Sequence, residues 1–231
     1  MILLGIDTST SCGSMALVDD RRVIAEWNLS HSKTHSERLL PGLVRMLEAA
    51  DTPLERVDLI AVAVGPGSFT GLRIGLATAK ALALGAGKPM VGVPTLDVLA
   101  ENVVASPLLV CPALDARKGE VFAALYRKPA PGSSQRISPY LSVRPEQLLE
   151  EIQEPALFLG DGSLLYRERL QSLARHPILL APLECHSPRA STLCRLALEK
   201  YRAEGAADPA DIRALYVRLS DAELNRAKGA A

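Results

Sequence analysis

The chain has 231 residues, 48% of them hydrophobic and 23% charged, so it carries material for two modest cores and reads as folded rather than disordered. Its 26 basic residues balance 26 acidic ones, which argues against a protein that grips tRNA or DNA unaided, because phosphate binding draws its affinity from a basic excess. Three Phe, five Tyr and one Trp leave little for a base-stacking platform, and no apolar run approaches the roughly 20 residues of a membrane span.

Residues 2–7 read as a buried strand ending in Asp7, with strands at 13–18 and 22–29 joined by a turn at Asp19–Arg21. A helix over about 35–50 follows, with Leu39, Leu43 and Leu47 on one face and Leu40, Val44 and Met46 widening it. Thr34 and Glu37 have capping-box spacing, and Pro41 should kink this helix or mark its true start. Leu59–Val64 is an all-apolar strand of the kind covered on both faces. The Gly65–Gly71 turn then leads into a small-residue helix over about 71–85, a strand at 90–93 and a short helix over Thr95–Val103. This turn lacks the Gly-Lys-Ser/Thr end of a phosphate-binding loop and reads better as a strand-to-helix turn.

The order then repeats. Leu108–Leu114 is a strand meeting an acid, Asp115. Strands at Glu120–Tyr126 and Ile137–Val143 flank a Pro/Gly/Ser loop. Helix Pro145–Ile152, strand Ala156–Leu159, helix Leu164–Leu173, strand Ile178–Ala181 and helix Pro188–Arg202 complete it. Each half reads β-β-β-α-β-α-β-α. The expected architecture is therefore two α/β lobes, 1–104 and 105–204, facing each other across a cleft. A tail at 205–231 is expected to pack back on the first lobe, extended at Leu215–Arg218 and helical from Asp221. Cys12, Cys111, Cys185 and Cys194 form no Cys-x-x-Cys pair and read as small apolar residues in a reducing compartment. The N-terminal stretch has no basic segment ahead of it and meets Asp7, so no secretory signal is expected and the cytoplasm is the expected location.

The duplicated order resembles the actin/Hsp70/sugar-kinase superfamily, with its ribonuclease H-like lobes. That resemblance implies a nucleotide in the cleft, with phosphates at the turn after the first strand of each half and adenosine at a Gly-rich turn in the second. The matching residues are Asp7, Thr8 and Ser9, then Asp115, then Gly160, Asp161 and Gly162. Any ATP or ADP binding is expected to be weak, because an acid followed by hydroxyls commonly just closes a turn. Asp115–Glu120 could equally be a salt-bridged turn or a contact to nucleotide or partner. An actin-like ATPase or small-molecule kinase is the alternative function, and it would need Asp7 and Asp115 to hold Mg-ATP.

A narrower resemblance spans nearly the whole chain. Ala61–Gly75 with its Gly-Pro-Gly-Ser-Phe-Thr-Gly core, Ile6–Ser9, His31–Glu37, Leu39-Leu-Pro41, Lys88–Val93, Leu114–Glu120 and Tyr216-Val-Arg218 are similar to the bacterial TsaB (YeaZ) family. The resemblance implies a supporting subunit, not an enzyme by itself. TsaB is similar to TsaD, which transfers a threonylcarbamoyl group to the tRNA adenosine 3′ of the anticodon, and the ATPase TsaE joins the pair. TsaD holds a metal with two histidines four apart, just after a Lys-Pro-x-Val-x-Val strand. This chain has Thr95 and Leu99 there, and neither is a transition-metal ligand, so no metal is expected. His31 and His35 are also four apart, but residue 32 is Ser rather than the Glu of a zinc-protease helix, and a structural or partner-contact role is the better reading.

The resemblance also implies that the two N-terminal helices form a homodimer contact when the protein is alone and a TsaD contact in the complex. Leu39, Leu43, Leu47, Leu72, Leu76, Ala79 and Ala83 are the interface candidates. Together the helices carry more apolar surface than one sheet face needs. Contact with tRNA is expected only through the partner, and none with membrane.

Overall fold

The computed structural model describes residues 1–30 and 35–218. The first half folds as the pattern predicts: β1 (Leu3–Asp7), β2 (Cys12–Val18), β3 (Val23–Ser30), α1 (His35–Ala49), β4 (Leu59–Gly65), α2 (Phe69–Ala86), β5 (Met90–Pro94) and α3 (Thr95–Ala100). Pro41 lies inside α1 and does not start it. The helix α2 begins two residues before the predicted start, because the Ser68 hydroxyl accepts the Gly71 N–H and caps it there. Thr34, His31 and the helix expected from Asp221 lie outside the described residues.

The second half comprises β6 (Ser106–Arg117), β7 (Glu120–Ala123), β8 (Tyr126–Lys128), β9 (Gln135–Arg136), β10 (Leu141–Val143), α4 (Pro145–Glu150), β11 (Ala156–Leu159), α5 (Asp161–Leu165), α6 (Arg167–Leu173), β12 (Ile178–Leu180) and α7 (Ala190–Glu204). Three predicted elements differ from the pattern. The strand at 120–126 breaks because the Leu125 backbone leaves the ladder: its N–H donates to Ser138 Oγ at 2.9 Å and its carbonyl accepts from Ile137 N–H at 2.8 Å. The strand at 137–143 is shortened to β10, past Pro139, a residue with no N–H to give a ladder, and β9 forms just ahead of the predicted start. The helix at 164–173 divides at Tyr166, whose φ of −104° and ψ of 19° depart from helical values.

Both sheets nevertheless share one topology. The first runs β3-β2-β1-β4-β5 and the second β10-β7-β6-β11-β12, with β8 and β9 added beside β6. In each, the first three strands are antiparallel and the last three parallel. Period-two alternation makes the first sheet a two-sided layer. Leu4, Ile6, Ile60 and Val62 face α1 and α2, while Leu3, Leu59, Ala61 and Ala63 face Val98 of α3 and Leu193, Cys194 and Ala197 of α7. Cys111 and Cys194 are buried, and burial pushes both thiols up; Cys12 and Cys185 are half-buried.

Chain order and packing order differ at the junction. The helix α7 closes the second half in sequence but covers the first sheet, and α3 closes the first half but sends Leu96, Leu99 and Ala100 into the second lobe's core. Ionic and polar contacts hold this exchange in place. Ala190 N–H donates to Ser14 Oγ at 2.8 Å, and Arg189 pairs with Glu26. Asp97 accepts hydroxyl bonds from Tyr126 and Tyr140 at 2.6 and 2.9 Å. Lys128, fully buried, pairs with Glu101, which also meets Arg195. Burial alone would push the Glu101 carboxyl up, but the hydrogen bond and charge of Lys128 hold it below the ordinary range. Removing Lys128 leaves the buried Glu101 carboxylate paired with the half-exposed Arg195. Lys128→Met is expected to cost about 3 kcal/mol by urea denaturation, with part of the loss recovered in Lys128→Met/Glu101→Gln.

Candidate functional site

A cavity of about 520 Å3 lies between the lobes. Its walls are the β1–β2 turn at Ser9–Ser11, the β4–α2 turn at Pro66–Thr70 with Arg73, the β6 end at Leu114–Arg117, Phe122, Asp161, and the tail at Leu215–Arg218. Ser9, Asp115 and Asp161 are thus brought together, whereas Asp7, Thr8, Gly160 and Gly162 sit behind the walls.

The turn after β1 is bonded to its own protein. Asp7 Oδ1 accepts from the Ser9 N–H at 2.8 Å and the Ser9 hydroxyl at 2.6 Å, and the Thr8 hydroxyl donates to the Gly71 carbonyl at 2.7 Å. Each hydroxyl has one hydrogen, so neither has one left for a phosphate oxygen. The helix α2 is seated on this turn through glycines. A Cβ at Gly67 would lie 2.3 Å from the Ser9 carbonyl, one at Gly71 2.0 Å from the Thr8 carbonyl, and one at Gly75 2.2 Å from Thr8 Oγ1. The glycines of the signature segment therefore allow helix and turn to touch backbone to backbone.

The opposite wall is a salt-bridged turn. Arg117, Lys118 and Gly119 take positive φ values of 61°, 55° and 80°. Arg117 pairs with Asp115 at 3.2 Å, and its N–H donates to Asp115 Oδ1 at 2.8 Å. Asp161 accepts the Asp115 N–H at 3.0 Å. Burial pushes the Asp161 carboxyl up; the N–H bond opposes this, and the Asp115 charge adds to it. Gly160 and Gly162 lie against the β6 backbone at Ala113–Asp115. His186, to which the sequence assigns nothing, holds that turn from behind: the Gly160 N–H donates to Nδ1 at 3.0 Å, and Nε2–H donates to the Ala181 carbonyl at 3.0 Å. A buried histidine flanked by proline carries no spacing signal that would reveal this.

Thr95 and Leu99 are both fully buried, and Leu99 packs in the second lobe's core. The His35 side chain lies outside the described ones.

The predicted interface residues require a correction. Leu39, Leu43, Ala79 and Ala83 belong to the first lobe's core, Leu72 is buried, and Leu47 and Leu76 are half-buried against that core. They face the sheet because α1 and α2 must cover Leu4, Ile6, Ile60 and Val62. The apolar side chains the two helices expose are instead Leu40 (50% exposed), Val44 (51%) and Leu84 (68%), with Phe69 at the start of α2. Leu40 and Val44 are one turn apart on α1, each about 100° round the helix from its neighbour in the Leu39–Leu43 stripe.

Two sheets of identical strand order, exchanged helices and an interlobe cavity define a two-lobed protein of the actin and sugar-kinase class. The fold is shared with the inorganic polyphosphate/ATP-glucomannokinase of an Arthrobacter strain (TM-score 0.52, 14% identity, covering 88% of this chain and 99% of that one). A family profile described as TsaD, tRNA N6-adenosine threonylcarbamoyltransferase, matches residues 28–228. The chain is 34% identical over 229 residues, 96% of each chain, to the tRNA threonylcarbamoyladenosine biosynthesis protein TsaB of Bacillus subtilis. YeaZ from Pseudomonas aeruginosa superposes with a TM-score of 0.80 at 28% identity, covering 93% of this chain and 99% of that one. The chain belongs to the TsaB family of tRNA threonylcarbamoyladenosine biosynthesis proteins. Among the described residues, no helix is long and apolar enough to cross a membrane.

Two measurements test this geometry. Gly75→Ala should lose about 1–3 kcal/mol through overpacking against Thr8 Oγ1, and Thr8→Ala/Gly75→Ala should regain part of it in thermal melts. The raised Asp161 carboxyl means the folded state binds its proton more tightly than the unfolded chain, so this group's contribution to stability falls as pH rises past the ordinary aspartate range. Asp161→Asn should therefore melt higher than wild type at neutral pH, and the difference should close in acid.

Proposed function

We propose that this protein is a non-catalytic subunit of the machinery that places the threonylcarbamoyl group on tRNA. In this reading it presents the outer face of α1 and α2 to a TsaD-like catalytic subunit, with a TsaE-like ATPase joining the pair, and it reaches tRNA only through them. Alone, it pairs with a second copy through the same face.

The observation that carries this reading is the exposure of Leu40, Val44 and Leu84 on two helices whose other apolar faces already fill the lobe's core. Large side chains left on the surface of adjoining helices favour burial against another helical surface. The chemistry at the cleft supports a supporting role. Two residues without imidazoles, Thr95 and Leu99, stand at the TsaD metal-ligand positions. The Thr8 and Ser9 hydroxyl hydrogens are held within the protein, and this weighs against an ATPase or kinase that would cradle phosphate on that turn.

Size measurement of the protein mixed with a TsaD-like subunit tests the reading. Wild type alone should run as a dimer and with the subunit as a one-to-one pair. Leu40→Glu/Val44→Glu should keep its melting temperature and weaken both associations by about tenfold or more. Leu43→Glu, which buries a charge beneath the same face, should unfold instead. A folded Leu40→Glu/Val44→Glu protein that binds as wild type does would refute this interface.

A further inference from the structure

The tail crosses the cleft and is anchored on both sides of it. It leaves α7, bridges the free edge of the first sheet at Met90 and Ala207, and buries Ile212 in the first lobe's core. The Lys80 ammonium donates to the Ala210 carbonyl at 3.1 Å. At the cleft, the Leu215 N–H donates to the Val64 carbonyl at 2.7 Å. Gly65, with φ of 108°, passes so close that a Cβ there would lie 2.9 Å from the Leu215 carbonyl oxygen. Tyr216 packs on Phe69 with ring centroids 5.3 Å apart, and Arg73, stacked 3.8 Å over Phe69, reaches the Tyr216 hydroxyl at 3.4 Å.

Two residues on, the same segment is held by the other lobe. Val217 packs against the second lobe's core. Arg218 donates to Glu120 at 2.9 Å and to the Ala116 carbonyl at 2.8 Å, at the two ends of the turn that carries Asp115 and Arg117. Glu120 is itself fixed by the Ser142 hydroxyl at 3.1 Å. The tail thus forms part of the cavity wall and is bonded to the β4–α2 side of the cleft through Val64, Phe69 and Arg73 and to the β6–β7 side through Ala116 and Glu120.

We propose that Leu215–Arg218 is an internal strap that holds the two lobes at one separation, so that the cleft of this protein is fixed by its own chain. Lobes that open and close around a ligand need a cleft whose two rims share few bonds. Here a four-residue segment joins them, one end on α2 and the other on the β6–β7 turn. The strap adds an attachment between the lobes besides the α3–α7 exchange, so the exposed face of α1 and α2 moves with the second lobe as one body.

Hydrogen exchange followed by mass spectrometry on the full-length protein tests this, with Arg218→Ala releasing the second-lobe end and Tyr216→Ala the first-lobe end. Each variant should keep a cooperative melt. Exchange should rise about fivefold or more in residues 64–73 and in residues 114–123 alike, whichever end is cut, while residues 156–159 of β11 stay as in wild type. Glu120→Gln, which leaves the tail sequence intact, should reproduce the Arg218→Ala pattern. The strap is refuted if each substitution loosens only the lobe its side chain touches, or if neither region changes. If Arg218→Ala does not fold, Tyr216→Ala and Glu120→Gln decide the matter by the same criterion.

Discussion

The structure depends on one contact between a turn and a helix. The Thr8 hydroxyl donates to the Gly71 carbonyl, and Gly67, Gly71 and Gly75 leave room for the Ser9 backbone, the Thr8 backbone and the Thr8 hydroxyl in turn, so that α2 comes down closely on the turn. That seat, with the Ser68 cap that starts the helix, fixes how α2 lies on the first sheet. It also fixes which of its residues point inward: Leu72, Ala79 and Ala83 are buried, and Arg73 and Leu84 are left outside. The same bond takes up a hydrogen that a phosphate-binding turn would offer to a ligand. A single placement therefore shapes the outer helical face and alters the chemistry of the cleft.

The second constraint is the exchange of helices between lobes. Because α7 covers the first sheet and α3 enters the second core, neither lobe has a complete hydrophobic shell of its own. Buried charge at Lys128 and Glu101, and the Asp97 carboxylate shared by two tyrosine hydroxyls, fix the register of that exchange. Buried ionic groups are costly unless fully partnered, and here they are partnered across the junction. A protein held in this way is suited to presenting a surface of constant shape, and the proposed supporting role asks for that property.

Much of this was legible in the residues, for reasons that can be named. Period-two and all-apolar runs mark β1, β4 and β6, and the repeated element order shows the duplication, although β6 runs on past Asp115 to Arg117. The glycine-rich signature was correctly read as a turn, and the resemblance it carries leads to the family to which the chain belongs. What failed was what depends on the second partner of a contact. The Leu39–Leu43 stripe is visible as a stripe, with Leu40 and Val44 widening it, but an amphipathic pattern does not say which part of its apolar face meets the lobe's own sheet and which part is left exposed. The break at Leu125 comes from backbone groups satisfied thirteen residues away at Ser138 and beside it at Ile137, and leaves no local signal. The places of His186 and Arg218 were hidden for the same reason: each acts on residues far away in the chain.

The account's central claim is that this protein works through its outer helical face and not through its cleft. The most direct test is the hydrogen-exchange footprint of the complex with a TsaD-like subunit. The account predicts new protection in residues 37–49 and 73–86, with residues 114–120 unchanged. Protection confined to residues 114–120 and 215–218, with both helices exchanging as in the free protein, would contradict it.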